Sequence, residues 1–303
     1  MVDGVDRLAA ENWIRAYVEP ADPIETVHER PWATVLRVPL NQGVAWFKAC
    51  APVQAFEPRL TASLFARWPD RVAEVLAYDE DQGWLLLADA GTPIQAFGNP
   101  PEAWLVALPL YAELQLGEGM HTLDHLTHGV PDLRVATLPG RYEDLMRHEL
   151  PLEPTEIRQL ADFGPHFAQL CGELVAQGVG ETVQHDDLHM ANLYSDGGKF
   201  RVLDWGDSSI AHPFFSLVVT FRFLDEVNHL APDDPWFRRL RDAYLEPWGS
   251  GFEETFEVAT RVGWFAHAIA RTRQREALPP EALPDFDRTS ANILRRAVAQ
   301  MRD

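Results

Sequence analysis

The chain has 303 residues, 46% of them hydrophobic, which excludes a disordered chain and a small protein held together by disulfides. Acidic residues outnumber basic ones by 46 to 26, for a net charge of −20, which argues against binding to nucleic-acid phosphates. No apolar run reaches the roughly 18 residues of a membrane span, and the start MVDGVDRLAA lacks the apolar core of a signal peptide. Cys50 and Cys171 are too far apart for a metal-ligand pair or a disulfide framework, which fits a reducing compartment. Together these features lead us to expect a cytoplasmic protein with no membrane partner.

The first 90 residues predict a small β-rich lobe with one helix among its strands. After a helix-like start over residues 8–17, the chain from about residue 24 has the texture of strands and turns. Residues 60–68 carry apolar side chains at helical spacing. The predicted strands are 34–39, 43–49, 72–78 and 83–89, and the turn Asn41-Gln42-Gly43 joins the first two.

From about residue 100 the apolar residues take the three- and four-residue spacing of helices. The predicted helices are 104–115, 142–148, 156–177, 214–228, 236–244, 252–272 and 288–301. One strand-like segment, 185–207, interrupts them. The sequence therefore predicts an α+β fold of two lobes, with a small antiparallel β lobe over 1–90 and a larger, mostly helical lobe over 91–303.

The interrupting segment, 185–207, gathers oxygen-bearing side chains. Its centre, Asp-Gly-Gly-Lys at 196–199, predicts a tight turn. Symmetric pairing about that turn places Asn192 and Asp204 at the open end of one hairpin, and Asp187 lies in the loop that leads into it. Such ligands suit Mg²⁺, and a loop carboxylate beside the metal can accept a proton from a hydroxyl. The alternative is a hairpin whose acidic ends are merely solvated.

Two motifs within this segment resemble those of a known family. Residues 185–192, HDDLHMAN, resemble the H-G-D-x-x-x-x-N catalytic loop of the aminoglycoside phosphotransferase family, and residues 203–207, LDWGD, resemble its I-D-W-x-D metal-binding segment. That family has the protein-kinase-like fold. The resemblance implies that Asp187 is the catalytic base, that Asn192 and Asp204 hold Mg²⁺, and that ATP is the phosphoryl donor. The acceptor would be a hydroxyl of a small molecule, such as an aminoglycoside or another amino or sugar alcohol.

The same resemblance assigns nucleotide-binding residues to the first lobe. Lys48 stands where this fold places its phosphate-binding lysine, and it is one of two lysines among 26 basic residues. The alternative is an ordinary exposed lysine on a strand. Glu57 would be its ion-pair partner, although Glu25, Glu29 and Glu74 are also available. Asp89 lies in the segment 83–93, which resembles the strand and linker that meet the adenine.

Three departures from the family pattern leave a second interpretation open. Asp186 replaces the glycine of the catalytic loop, and residues 28–34 contain no glycine-rich phosphate loop. Ser216 replaces the aspartate that braces the loop in the family, and His212 is a weaker candidate for a compensating brace. These features favour the alternative of a non-catalytic nucleotide-binding module that kept the fold.

Two further questions stay open. A metal-dependent phosphohydrolase would use His185, His189 and Asp186 as its site, although their order differs from H-E-x-x-H. Acidic residues occur in the helical half, where the family places its acceptor. They indicate either a binding site for a cationic acceptor or an acidic face that is merely solvated. These residues are Asp225, Glu226, Asp233 and Asp234. The oligomeric state is not indicated.

Overall fold

The computed structural model describes residues 5–300, apart from the side chain of Glu276. The first part of the chain forms an antiparallel sheet of five strands in the order β1-β2-β3-β5-β4. The strands are β1 (Glu25–Arg30), β2 (Ala33–Pro39), β3 (Val44–Cys50), β4 (Val75–Asp79) and β5 (Trp84–Ala88). Two helices accompany the sheet, α1 (Arg7–Arg15) and α2 (Glu57–Arg67).

Alternation along β3 decides which side chains enter the core of this lobe. Phe47 is fully buried and packs with Ile14 of α1 and Trp84 of β5. Because successive side chains of a strand point to opposite faces, Lys48 lies on the face away from this core. The period of two thus presents Lys48 to the helical half of the molecule.

The second part of the described chain is mostly helical. Its helices are α3 (Pro101–Glu118), α4 (Thr122–Thr127), α5 (Leu138–Leu145), α6 (Pro154–Gln177), α7 (Leu217–Asn228), α8 (Pro235–Leu245), α9 (Glu253–Glu276) and α10 (Leu283–Ala299). One continuous apolar core joins them, with Trp104, Phe167 and Phe265 among its large buried side chains. None of the helices in the described part is long and apolar enough to cross a membrane.

Short strands hold the segment between these helices. β8 (Leu193–Asp196) and β9 (Lys199–Val202) form the predicted hairpin, with β6 (Thr92–Pro93) paired to β8. Ser195 pairs with Phe200, as symmetric pairing about the turn predicts. A second pair, β7 (Thr182–Gln184) with β10 (Ser209–Ala211), closes the other side. Loops 185–192 and 203–208 therefore emerge side by side.

The predicted elements are present, but several bounds differ. Helix α7 begins at Leu217 rather than 214, because a turn of 3₁₀ helix over Pro213–Ser216 precedes it. Helix α10 begins at Leu283, five residues before the predicted start, and Met301 at the predicted end lies outside the described residues. The apolar spacing in the sequence does not mark the first turn of α10. The division of the chain near residue 90 stays a prediction.

Candidate active site

Lys48 lies between two carboxylates from different parts of the chain. Its Nζ atom is 2.6 Å from Oε2 of Glu57 and 2.6 Å from Oδ1 of Asp204. The Glu57 side chain is 1% exposed, whereas the Asp204 side chain is 52% exposed and faces the cleft. Among the four glutamates considered from the sequence, the one that pairs with Lys48 is Glu57. The ammonium therefore links the sheet, the start of α2 and the end of the hairpin.

Electrostatics keep this lysine charged. Burial would lower the pKa of Lys48, but the carboxylates of Asp204 and Glu57 raise it well above its usual value. Desolvation likewise opposes ionisation of Asp204, yet the Lys48 ammonium lowers the pKa of that carboxyl. A fixed positive charge and an ionised, half-exposed carboxylate thus stand together at the cleft.

The backbone after the hairpin lies close to the start of α2, and this close approach makes the arrangement possible. A Cβ atom at Gly206 would lie 2.7 Å from Oε2 of Glu57 and 2.7 Å from Cδ of Gln54. Asp204 itself has a φ of 63°, in the left-handed region that non-glycine residues rarely adopt. The chain after the hairpin therefore bends sharply and passes directly over the start of α2.

The loop before the hairpin orients Asp187. The Asn192 side-chain amide donates to the Asp187 carbonyl at 2.9 Å and to its Oδ2 atom at 3.3 Å. His189 accepts from the Ala191 N–H through Nδ1 and donates from Nε2 to Oδ2 of Asp187 at 3.1 Å. The His189 ring in turn stacks on Phe223 of α7, with 4.4 Å between ring centroids. One carboxylate oxygen of Asp187 is thus held by two donors while the side chain stays 30% exposed.

Asp186 is turned away from this carboxylate. Its φ is 61°, which explains why a glycine is the common residue at this turn. The Asp186 side chain is buried and accepts a hydrogen bond from Ser209 of β10. Burial raises the pKa of Asp186 to about 7. The extra acid therefore adds little negative charge beside Asp187 below neutral pH.

The loop is braced by a buried polar network rather than by an aspartate. The His185 N–H donates to the Tyr111 hydroxyl at 3.1 Å, and the hydroxyl of Ser216 lies 3.4 Å from the Tyr111 oxygen. Ser216 also donates to Gln184 and accepts from Gln115 at 3.1 Å. Ser216 thus connects the loop to α3 and β7 through neutral groups.

His185 and His212 make contacts that leave neither of them as a brace for the loop through a charged side chain. His185 donates from Nε2 to the Leu203 carbonyl at 2.8 Å and accepts the Asp187 N–H at 3.3 Å, and burial lowers its pKa. His212 accepts the Phe214 N–H at 3.2 Å and has no bond to the loop. Burial lowers the pKa of His212 to about 3, so it is neutral. His212 does not replace the missing brace.

Hard oxygen ligands remain available for a cation. The side-chain nitrogen of Asn192 donates to Asp187, which leaves the side-chain oxygen of Asn192 free to bind a metal. Asp204 uses one of its two carboxylate oxygens for Lys48, and the other remains available. Among the described residues, no three His, Cys, Asp or Glu side chains form a metal-binding group. The donors fit Mg²⁺ that completes its shell with phosphate oxygens and water, and they do not fit a metal held by protein alone.

Asp207 follows Asp204 by three residues and is held by two glutamines. Gln54 donates to its Oδ1 atom at 3.0 Å, and Gln274 of α9 donates to the same oxygen. Burial, together with the charges of Asp187 and Asp204, raises the pKa of Asp207 to about 7. Sequence reasoning missed Gln54 and Gln274, because no local pattern marks contacts that span 153 and 67 positions.

Two further parts of the first lobe were considered for nucleotide binding, Asp89 and the segment 28–34. Asp89 follows β5 and is exposed, and its Oδ1 atom accepts the Gly91 N–H at 3.3 Å. The segment 28–34 comprises the end of β1, the turn Pro31-Trp32 and the start of β2, and it lacks glycine. The nucleotide role of Asp89 stays a prediction.

Comparisons with known proteins come from structure alone. No protein-family model matches the sequence, and no curated protein is detectably similar to it. A choline/ethanolamine kinase family protein from Mesorhizobium loti superposes with a TM-score of 0.65 at 15% identity, over 97% of this chain and 95% of that chain. Choline kinase LicA from Streptococcus pneumoniae superposes with a TM-score of 0.64 at 12% identity, over 96% and 98%. The chain has the protein-kinase-like fold of these proteins.

A nucleotide and a metal are present in a further similar structure. The amicoumacin kinase hAmiN, solved with AMP-PNP, Ca²⁺ and Ami, superposes with a TM-score of 0.60 at 10% identity, over 97% of this chain and 94% of that chain. Together with the five-stranded sheet and the helical second part, these similarities confirm the predicted α+β fold class. They establish the fold, and the chemistry has to be argued from the site.

Proposed function

We propose that the protein is an ATP-dependent phosphotransferase that moves a phosphoryl group to a hydroxyl of a small molecule. The observation that carries this proposal is the Lys48 ammonium, held 2.6 Å from both Glu57 and Asp204 next to the Asp187–Asn192 loop. A fixed cation, an ionised cleft carboxylate and a positioned base are the groups that phosphoryl transfer needs.

Each residue has a separate task in the proposed reaction. Lys48 binds phosphate oxygens of the nucleotide, and Glu57 fixes its position from the buried side. Asn192 and Asp204 would hold Mg²⁺, which neutralises charge on the phosphates when it is bound. Asp187 orients the acceptor hydroxyl and accepts its proton, and Asn192 and His189 hold the Asp187 side chain in place.

The departures from the family motifs are compatible with activity. Asp186 points into the protein and bonds Ser209, so it leaves the approach to Asp187 open. The Tyr111–Ser216 network supplies a brace for the His185 backbone without a carboxylate. Both observations support an enzyme over a non-catalytic nucleotide-binding module.

A coupled ATP-consumption assay tests this function across hydroxyl compounds that include aminoglycosides, amino sugars, choline-like alcohols and hydroxy acids. We expect consumption that depends on the acceptor and falls to background in Asp187→Asn. Tight nucleotide binding without turnover on the whole panel would favour the non-catalytic module. Phosphatase activity that needs zinc but no ATP would favour a phosphohydrolase.

A further inference from the structure

Two helices bring three basic side chains together next to the catalytic loop. Thr220 of α7 donates from its hydroxyl to the Leu188 carbonyl at 2.8 Å, which attaches α7 to the loop. Helix α9 packs closely on α7, since a Cβ atom at Gly263 would lie 3.0 Å from Cγ2 of Val218. Four residues after Gly263 comes His267, and four residues after Val218 comes Arg222, so both occupy the next turn on the same helix faces.

The same face of α9 continues to the cleft. Arg271 follows His267 by four residues and Gln274 follows by seven, which places all three on one stripe. Gln274 donates to Asp207, so this stripe ends at the carboxylates of the site. On α7, the Arg222 guanidinium lies 4.8 Å from the centre of the Phe223 ring, which stacks on His189. The basic cluster of Arg222, His267 and Arg271 therefore borders the acceptor side of Asp187.

This cluster has almost no compensating partners. Among the side chains that the structure describes, neither Arg222 nor Arg271 has a carboxylate oxygen within 4.0 Å of its guanidinium, and the Arg222 Nε atom is buried without a partner. His267 is 7% exposed and both its ring nitrogens lack hydrogen bonds. Arg271 donates to Ser290 at 3.2 Å and covers the Phe286 ring, so neither of these contacts is an ion pair.

The nearby acids are already engaged. Asp187 accepts from Asn192 and His189, and Asp207 accepts from two glutamines. The acidic residues of α7, Asp225 and Glu226, form ion pairs with Arg296 at 2.8 and 3.2 Å. Each of them therefore already has one carboxylate oxygen engaged by a cation of the chain itself.

Partly buried positive charge without an ion-pair partner is costly, and a bound anion would relieve that cost. Burial lowers the pKa values of Arg222 and Arg271. The charge of Arg296 lowers the pKa of Arg222 further, and the charge of Arg222 lowers that of Arg271, whereas the Asp187 carboxylate opposes both shifts. Burial, Arg222 and Arg271 hold the pKa of His267 well below its usual value. In a chain of net charge −20, this grouping of basic side chains without a direct ion pair points to a ligand.

We propose that the acceptor substrate carries an anionic group, a carboxylate or a phosphate, which Arg222 and Arg271 bind while His267 donates a hydrogen bond. A planar guanidinium fork suits both anions. The inference rests on the proposed phosphotransferase function and names its substrate class. It replaces the cationic acceptor considered from the sequence.

Anion binding tests the cluster without a known substrate. Inorganic phosphate and malonate are titrated separately against the wild-type chain, Arg222→Gln and Arg271→Gln, and the melting temperature is followed. Arg141→Gln is the matched control, because Arg141 lines a neighbouring cavity of about 1110 Å³, bordered by Asp207 and Arg273, whose lining does not include Arg222, His267 or Arg271. We expect at least one anion to raise the wild-type and Arg141→Gln melting temperatures by about 2 °C or more, and to have no effect on the other two variants. The more stabilising anion identifies the preferred group. Equal responses in all four proteins, or no response in the wild type, would overturn the proposal.

Matched acceptors separate this inference from the function on which it rests. Gluconate, glucose 6-phosphate, glucose and glucosamine are compared in the coupled ATP assay. We expect an anionic compound to exceed the neutral and cationic ones at least tenfold in kcat/KM, and Arg222→Gln to lose at least tenfold with that compound while KM for ATP stays within twofold. Preferred turnover of glucosamine would overturn the anionic acceptor and leave the phosphotransferase intact. Failure of the wild-type chain to bind ATP would instead refute the phosphotransferase.

Discussion

The substitution Lys48→Met should destabilise the protein strongly, although Lys48 lies at a cleft. The side chain is 11% exposed, and its removal leaves the Glu57 carboxylate, 1% exposed, without a countercharge. Breaking a buried ion pair by removing one partner costs about 3–5 kcal/mol. We take the lower end, about 3 kcal/mol, because Asp204 is 52% exposed and water can solvate it when the lysine is gone.

Urea unfolding at pH 7 measures this loss as a change in the free energy of unfolding at constant m-value. Lys199→Met is the matched control, since Lys199 is the only other lysine and is exposed on β9, and it should change stability by less than about 0.5 kcal/mol. In Lys48→Met/Glu57→Gln the buried charge is gone, so the double variant should lose at least about 1 kcal/mol less than the sum of the single variants. Additive losses, or a loss below about 1 kcal/mol in Lys48→Met, would refute the buried ion pair.

Three other predictions follow from the same geometry. Asp187→Asn should lower kcat by about 10²–10⁴-fold and leave the calorimetric affinity for ADP unchanged, and retention of more than about a tenth of kcat would exclude Asp187 as the base. Because burial raises the pKa of Asp186 to about 7, the contribution of this carboxyl to stability is complete below pH 4 and is lost as pH rises through 7. In urea titrations, Asp186→Asn should therefore gain stability over the wild type by up to about 4 kcal/mol between pH 4 and 8. A difference between the two proteins that does not change with pH would contradict the buried carboxyl. Gly206→Ala, whose Cβ atom would lie 2.7 Å from Glu57 and Gln54, should lower the free energy of unfolding by about 1–3 kcal/mol. As the control, Gly172→Ala on α6, where a Cβ atom meets no neighbour, should leave that free energy unchanged or raise it by about 0.4–1 kcal/mol. Similar melting temperatures for both variants would contradict the close packing at Gly206.

Local signals predicted the hairpin and the surroundings of Lys48. The turn at 196–199 fixes the register that places Asn192 opposite Leu203, and the Leu203 N–H donates to the Asn192 carbonyl at 2.9 Å. Lys48 stood out because the chain otherwise uses arginine, and its partner Glu57 is only nine positions away. Short-range patterns of this kind survive folding because turn geometry and strand alternation are local properties.

Contacts between distant helices could not be predicted in this way. The basic cluster forms because Gly263 lets α9 approach α7, and nothing near Arg222 in sequence indicates that Arg271 will lie beside it. The bond from Gln274 to Asp207 likewise depends on where α9 packs. The brace of the catalytic loop was expected from a single residue, whereas it comes from a network in which Tyr111 of α3 receives the His185 N–H.

Calorimetric titration of ATP with and without Mg²⁺ tests the proposed catalytic site most directly. Because Asp204 and Asn192 offer oxygen ligands beside Lys48, which we propose binds the phosphates, Mg²⁺ should tighten ATP binding to the wild-type chain at least tenfold. In Asp204→Ala this dependence should disappear while the protein remains folded. Equal ATP affinity with and without Mg²⁺ in the wild-type chain would contradict a metal-assisted phosphotransfer site.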